Sequence, residues 1–282
     1  MHHARADDDV DWKTLDDVSV VGFHMTGGRT PLVLIRTWTD ELEGHALLAG
    51  ALGVDQPLVS LGVEMTEDDF PRSVSAWADR VEQNARLHID PDRVLLGGYS
   101  FGGVVALEIA SRIQSTGGRL EQVVLIDTSR PRPKTARSGR YAVEIAHEFI
   151  RALEDHSKPA DRLRVLMLGA PRMLRRMRAQ AKHTLERWRG RGIADGLNEP
   201  QLPYRRRAIH IAYLKYEPDR LDLPAAILAT KRSIERADND CCLGWSKLLA
   251  GPIRTYSLPG GHFSLMTQEF VDEWAVAVAS AT

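Results

Sequence analysis

Cysteine is nearly absent. The 282 residues contain two, Cys241 and Cys242, and they are adjacent. A disulfide between sequence neighbours is strained and rare, so both are expected as reduced thiols in a reducing compartment. Neither has the spaced Cys or His partners of a zinc site, and no metal is expected. Charge of one sign is also lacking: 37 Lys and Arg stand against 38 Asp and Glu, for a net charge of −1. That balance argues against wholesale nucleic-acid binding. No apolar run approaches the roughly 20 residues of a membrane span. The N-terminus has no basic region followed by an apolar core, so it does not read as a signal peptide, and a cytoplasmic location is expected. There are no internal repeats.

What remains is ordinary for a chain that buries a real core, with 43% hydrophobic and 27% charged residues. Charge is nevertheless uneven: Asp7, Asp8, Asp9, Asp11, Asp16 and Asp17 crowd the start, and arginines crowd residues 162 to 191. Residues 1–17 read as a polar N-terminal tail. Beyond it strand and helix patterns alternate: Leu32 to Arg36 strand, His45 to Leu52 helix, Leu58 to Leu61 strand, Val74 to Leu87 helix, Arg93 to Gly97 strand, Val104 to Ile113 helix, Val123 to Asp127 strand. This rhythm predicts an α/β fold, a mainly parallel twisted sheet with helices on both faces.

The rhythm stops at Pro131-Arg132-Pro133 and resumes near Pro224, with strands at Ala226 to Ala229 and Ile253 to Leu258 and a helix from about Thr267 to Ala279. The segment between, about 131–222, is helical by pattern. Leu174, Met177, Ala181, Leu185 and Trp188 fall on one helical face there, and a helical insertion at this place in a sheet is a lid candidate.

Chemistry enters at Gly98-Tyr99-Ser100-Phe101-Gly102, which lies between the apolar run Val94-Leu95-Leu96 and a helical stretch. Strand, sharp turn with serine at its apex, then helix is the setting in which G-x-S-x-G forms a nucleophile elbow. Glycines flank the serine because strand and helix pass too close for side chains. A serine hydroxyl needs a base to take its proton. His262 is the candidate, since Pro259-Gly260-Gly261-His262-Phe263 follows the last strand, and loops at the carboxyl ends of parallel strands share one edge. The base in turn needs a carboxylate to fix its tautomer. Asp127 ends the strand one crossover beyond Ser100 and is preferred; Glu235, Asp238 and Asp240, after the strand at 226 to 229, are its rivals.

Gly97-Gly98-Tyr99-Ser100-Phe101-Gly102-Gly103-Val104-Val105-Ala106, the Leu125-Ile126-Asp127 strand end, Asp240 to Trp245 before Ser246, and Gly261-His262-Phe263-Ser264-Leu265 together resemble the thioesterase domains that terminate polyketide and nonribosomal-peptide assembly lines. The similarity runs from about Pro31 to Ala279 and is weak across the insertion. It implies an α/β-hydrolase domain over residues 18–282, a Ser100, Asp127 and His262 triad, and a mobile lid. It also implies release of an acyl, polyketide or peptidyl chain through an acyl-Ser100 intermediate, by hydrolysis or by macrocyclisation. No cofactor is expected, because the substrate arrives on the phosphopantetheine arm of an acyl or peptidyl carrier protein. In this fold the amide after the nucleophile, that of Phe101, is one oxyanion donor. The family's second donor loop usually reads His-Pro-x-Gly-Gly; here it is Arg36-Thr37-Trp38-Thr39-Asp40, and by position the donor is the Trp38 amide. Arg175, Arg176 and Lys182, in the basic stretch Pro171 to Arg191, are candidates for steering an acidic carrier. A stand-alone type II editing thioesterase, a general carboxylesterase or lipase, and a non-catalytic acyl-binding protein on a hydrolase scaffold are the alternatives.

Overall fold

The computed structural model describes residues 10–15, 18–37, 41–63, 71–85, 93–131, 201–262 and 264–282. Among the described residues eight strands form one sheet: β1 (Val10–Leu15), β2 (Val18–Phe23), β3 (Leu32–Arg36), β4 (Leu58–Val63), β5 (Leu95–Tyr99), β6 (Gln122–Ile126), β7 (Ala225–Thr230) and β8 (Ile253–Leu258). Their order is β1-β2-β4-β3-β5-β6-β7-β8. Every pairing from β4 to β8 is parallel, and β2 pairs antiparallel with both β1 and β4. The described helices are α1 (Glu41–Leu52), α2 (Val74–Ala85), α3 (Phe101–Ser115), α4 (Gln201–Lys215), α5 (Lys231–Arg236) and α6 (Val271–Ala281).

The central strands read as unbroken apolar runs because both faces of the sheet are covered. In β3, Val33 and Ile35 join one core with Trp77 of α2 and Val104 of α3, while Leu32 and Leu34 join the other with Leu48 of α1 and Trp274 of α6. β6 divides the same way, Val123 and Leu125 against Val124 and Ile126, as the period-2 alternation of strand side chains requires. On the first face Arg112 of α3 ties the helices together, bonding Glu82 at 2.6 Å and Asp79 at 2.7 Å on α2 and Glu108 at 3.1 Å on its own helix.

One expectation fails at the start of the chain. Residues 10–15, read as tail, form β1, hydrogen-bonded to β2 from Val10↔Phe23 to Leu15↔Val18. Val10, Trp12 and Leu15 supply apolar positions in a stretch that its acidic neighbours make look like tail, and main-chain pairing at the sheet edge accommodates the polar residues between them. The chain divides into two compact units, residues 1–132 with 209–282, which hold the whole sheet, and residues 133–208. The insertion expected at about 131–222 lies outside the described residues except for Pro131, for α4 and for the segment that leads from α4 toward β7.

Candidate active site

The elbow is built by close approach. β5 ends at Tyr99, Ser100 takes φ 52° and ψ −117°, and α3 begins at Phe101. A Cβ on Gly98 would lie 2.3 Å from the Gly102 carbonyl carbon, one on Gly102 would lie 2.3 Å from the Ile35 oxygen, and one on Gly103 would lie 2.2 Å from Thr128 Oγ1. A serine held at positive φ costs on the order of 1–3 kcal/mol, which the surroundings must offset. The Ser100 amide donates to the Ile126 carbonyl at 2.9 Å, and the Thr128 hydroxyl reaches the Ser100 carbonyl at 3.1 Å. Phe101 is buried, its ring edge-on to Trp77 with centroids 5.5 Å apart. As the first residue of α3 it has an amide with no acceptor inside the helix, at the positive end of the helix dipole.

Asp127 follows β6 on the neighbouring strand, also at positive φ, 44°. Its amide donates to the Leu228 carbonyl at 2.6 Å. The carboxylate has no exposed surface and accepts on both oxygens. Oδ1 takes the Thr230 amide at 2.9 Å; Oδ2 takes the Ser233 hydroxyl at 2.9 Å and stands 2.7 Å from His262 Nδ1. Burial alone pushes this carboxyl up. The hydrogen bond and charge of His262, with the Thr230 amide and Ser233, outweigh burial and hold Asp127 below the ordinary carboxylate range. An ionised Asp127 accepts the Nδ1 proton of His262, which leaves Nε2 as the nitrogen able to take a proton. His262 sits in the loop after β8, and its ring stacks on that of Tyr99, the residue before Ser100, with centroids 4.9 Å apart at 25°.

Ser100, Asp127 and His262 thus stand at the carboxyl ends of β5, β6 and β8, on one edge of the parallel sheet, and the Asp127 and His262 side chains are in contact. The rival carboxylates are placed differently. Asp240 spends its two oxygens on the Cys242 and Gly244 amides, each at 2.8 Å, and Glu235 and Asp238 are exposed. Beyond β3 the Thr37 amide donates to Glu41 Oε2 at 2.8 Å, so that amide is engaged by the first residue of α1. Trp38, the positional oxyanion donor, lies outside the described residues, as do Arg175, Arg176 and Lys182.

Four residues of the site escape a reading of the sequence: Thr128 under the elbow, Thr230 and Ser233 behind Asp127, and Tyr99 beneath His262. Thr230 and Ser233 do carry a local signal. Thr230 caps α5, its hydroxyl accepting from the Ser233 amide at 3.2 Å, and a Thr three residues before a Ser at a helix start is legible as a cap. Only the sheet reveals that the cap faces Asp127.

Comparison with known proteins gives a family. The model described as "Thioesterase domain" matches residues 23–279. Among curated relatives, the Thioesterase AMT4 of Alternaria alternata is 41% identical over 86 residues, 26% of this chain and 33% of that protein. The non-reducing polyketide synthase stmB of Aspergillus ustus is 22% identical over 275 residues, 89% of this chain and 13% of that protein. The chain therefore spans a third or less of the curated relatives it matches. Among solved structures, the NocB thioesterase domain from the nocardicin cluster superposes with a TM-score of 0.61 at 21% identity, covering 93% of this chain and 97% of that one, which shows a shared fold.

Proposed function

The chain belongs to the thioesterase domain family, and from that premise we propose that it is a serine thioesterase that releases an acyl, polyketide or peptidyl chain from a carrier-protein phosphopantetheine thioester. The observation that carries the reading is the 2.7 Å contact between His262 Nδ1 and the buried Asp127 carboxylate, on the sheet edge that also bears the Ser100 elbow. Support for the substrate class comes from relatives named a thioesterase and a polyketide synthase.

In the proposed course Ser100 Oγ attacks the thioester carbonyl carbon as His262 Nε2 takes the hydroxyl proton. The oxyanion forms against the Phe101 amide at the start of α3, with the Trp38 amide as the second donor. The carbon–sulfur bond then breaks, His262 returns its proton to the departing thiolate, and an acyl-Ser100 ester remains. In the second half His262 deprotonates water, or a hydroxyl or amine of the chain itself, as it attacks the ester carbon; the bond from that carbon to Ser100 Oγ then breaks, His262 returns the proton to Oγ, and a free acid or a ring is released. No group beyond the chain and the carrier arm is needed. Arg175, Arg176 and Lys182 are proposed to attract the acidic surface of the carrier.

The test is release from a carrier loaded with a thioester, followed by the mass of the product. Ser100→Ala should abolish turnover with folding intact, and a fluorophosphonate should label wild-type Ser100. Residual activity within about tenfold of wild type would remove the serine mechanism. A wild-type Ser100 that resists the probe would favour an acyl-binding role instead.

A further inference from the structure

Tyr99 is the last residue of β5, and it shares with Leu95 the core face that packs against α1 and α6. A buried aromatic at such a place ordinarily fills space. Here two of its contacts go to one residue, His262. Its ring lies under the His262 imidazole, centroids 4.9 Å apart at 25°. Its hydroxyl donates to the His262 main-chain carbonyl.

These contacts act on different freedoms of the base. His262 lies four residues past the end of β8, where the sheet's hydrogen bonds no longer hold the main chain. The tyrosine hydroxyl supplies a fixed point there. The imidazole is held at one edge by Asp127 Oδ2 at 2.7 Å and on one face by the phenol ring, which together restrict its rotation. The face contact also has a sign. The π face of a phenol is electron-rich and attracts a cation more than a neutral ring, so the stack favours the imidazolium that exists only while His262 holds the serine proton. Among the described residues, titratable groups that face the ring include Asp127 from the end of β6 and Tyr99 from the end of β5.

We propose that Tyr99 is a positioning residue for His262, orienting the imidazole and stabilising its protonated form through the ring while its hydroxyl anchors the loop. The role of His262 as base is taken from the functional reading above, so the experiment separates the two.

The experiment follows the ring proton of His262 by NMR as pH is varied, in full-length protein carrying labelled histidine, for wild type, Tyr99→Phe and Tyr99→Leu, with His262→Gln identifying the signal. Losing the stack in Tyr99→Leu should lower the titration midpoint by about 0.5 in pH, the size expected of a part-exposed cation–π contact. Tyr99→Phe keeps the stack and should keep the midpoint. Fluorophosphonate labelling of Ser100 at neutral pH should slow about tenfold in Tyr99→Leu, where the ring is loosened, and about threefold in Tyr99→Phe, where one hydrogen bond is lost. If Tyr99→Leu does not fold, Tyr99→Met, with an adaptable side chain, takes its place. A midpoint that stays where it is in wild type when the ring is removed overturns the proposal, whatever the labelling rates, because a space-filling tyrosine would alter stability alone. Absence of labelling in wild type would count against the thioesterase reading and leave the titration to decide this inference.

Discussion

A carboxylate with no access to water survives as an anion only if each oxygen is met by a donor. Asp127 has the Thr230 amide on one oxygen and Ser233 and His262 on the other. The linkage follows in sign. Its folded value is depressed, so its contribution to stability is present above the ordinary carboxylate range and is lost as pH falls through the folded value. On activity, Asp127→Asn should reduce kcat by about 10³ to 10⁴, because an amide no longer fixes the imidazole tautomer. Asp240→Asn should leave kcat near wild type, since Asp240 caps its own turn. Steady-state hydrolysis of a small thioester checks both, and equal losses would transfer the acid to Asp240. Ser100, Asp127 and His262 could be singled out in the sequence because each follows a strand pattern; the contact of Asp127 with His262 is what the structure adds. Tyr99, Thr230 and Ser233 could not, since nothing in their local patterns says which side chain the sheet brings opposite them.

Elements differ in how much of their geometry local residues reveal. The strand at 253–258 begins and ends where its pattern says. β5 instead runs through Gly97 and Gly98 to Tyr99, and α3 starts at Phe101 and takes in Gly102 and Gly103, although glycine weakens both kinds of element. Tertiary contact overrides propensity here, because these are the points where β5, α3, Ile35 and Thr128 nearly touch. β1 and β2 were missed for a different reason: acidic residues at the start of the chain obscure a short hairpin, even though Val20, Val21 and Phe23 of β2 are buried in the core. A pair of substitutions separates the two kinds of glycine. Gly50, exposed on α1 with nothing within 4 Å of an added Cβ, should tolerate alanine with a gain of about 0.5–1 kcal/mol in urea unfolding. Gly98→Ala should destabilise by several times that amount, roughly 3 kcal/mol or more, because backbone rather than a flexible side chain occupies the space. A loss for Gly98→Ala as small as the gain at Gly50 would mean that the elbow is loosely packed.

At the scale of the whole molecule, stability should fall in mild acid for a reason unrelated to catalysis. His45 on α1 is completely buried, its Nδ1 2.8 Å from Ser60 Oγ on β4, and burial with the nearby Arg36 charge lowers it to about 3 from the ordinary 6.5. Between those values the unfolded chain binds a proton that the folded chain refuses, so stability is full above about pH 6.5 and declines as pH falls, by up to about 1.4 kcal/mol for each step of one in pH. Urea unfolding from pH 7 to pH 4 reads this decline, and His45→Gln should flatten it. An unchanged slope in the variant would assign the acid sensitivity elsewhere. The order of the strands carries a different consequence. Ser100 and Asp127, the proposed nucleophile and acid, arrive with β5 and β6, before the insertion; Thr230 and Ser233, which hold Asp127, and His262, the proposed base, arrive with β7 and β8, after it. The seam between those halves is the parallel pairing of β6 with β7, Val123↔Ala225 to Ile126↔Leu228. On the proposed mechanism, closure of that seam is what brings base to serine, and a backbone nick in the insertion that lets the two pieces part would leave Ser100 on one piece and His262 on the other.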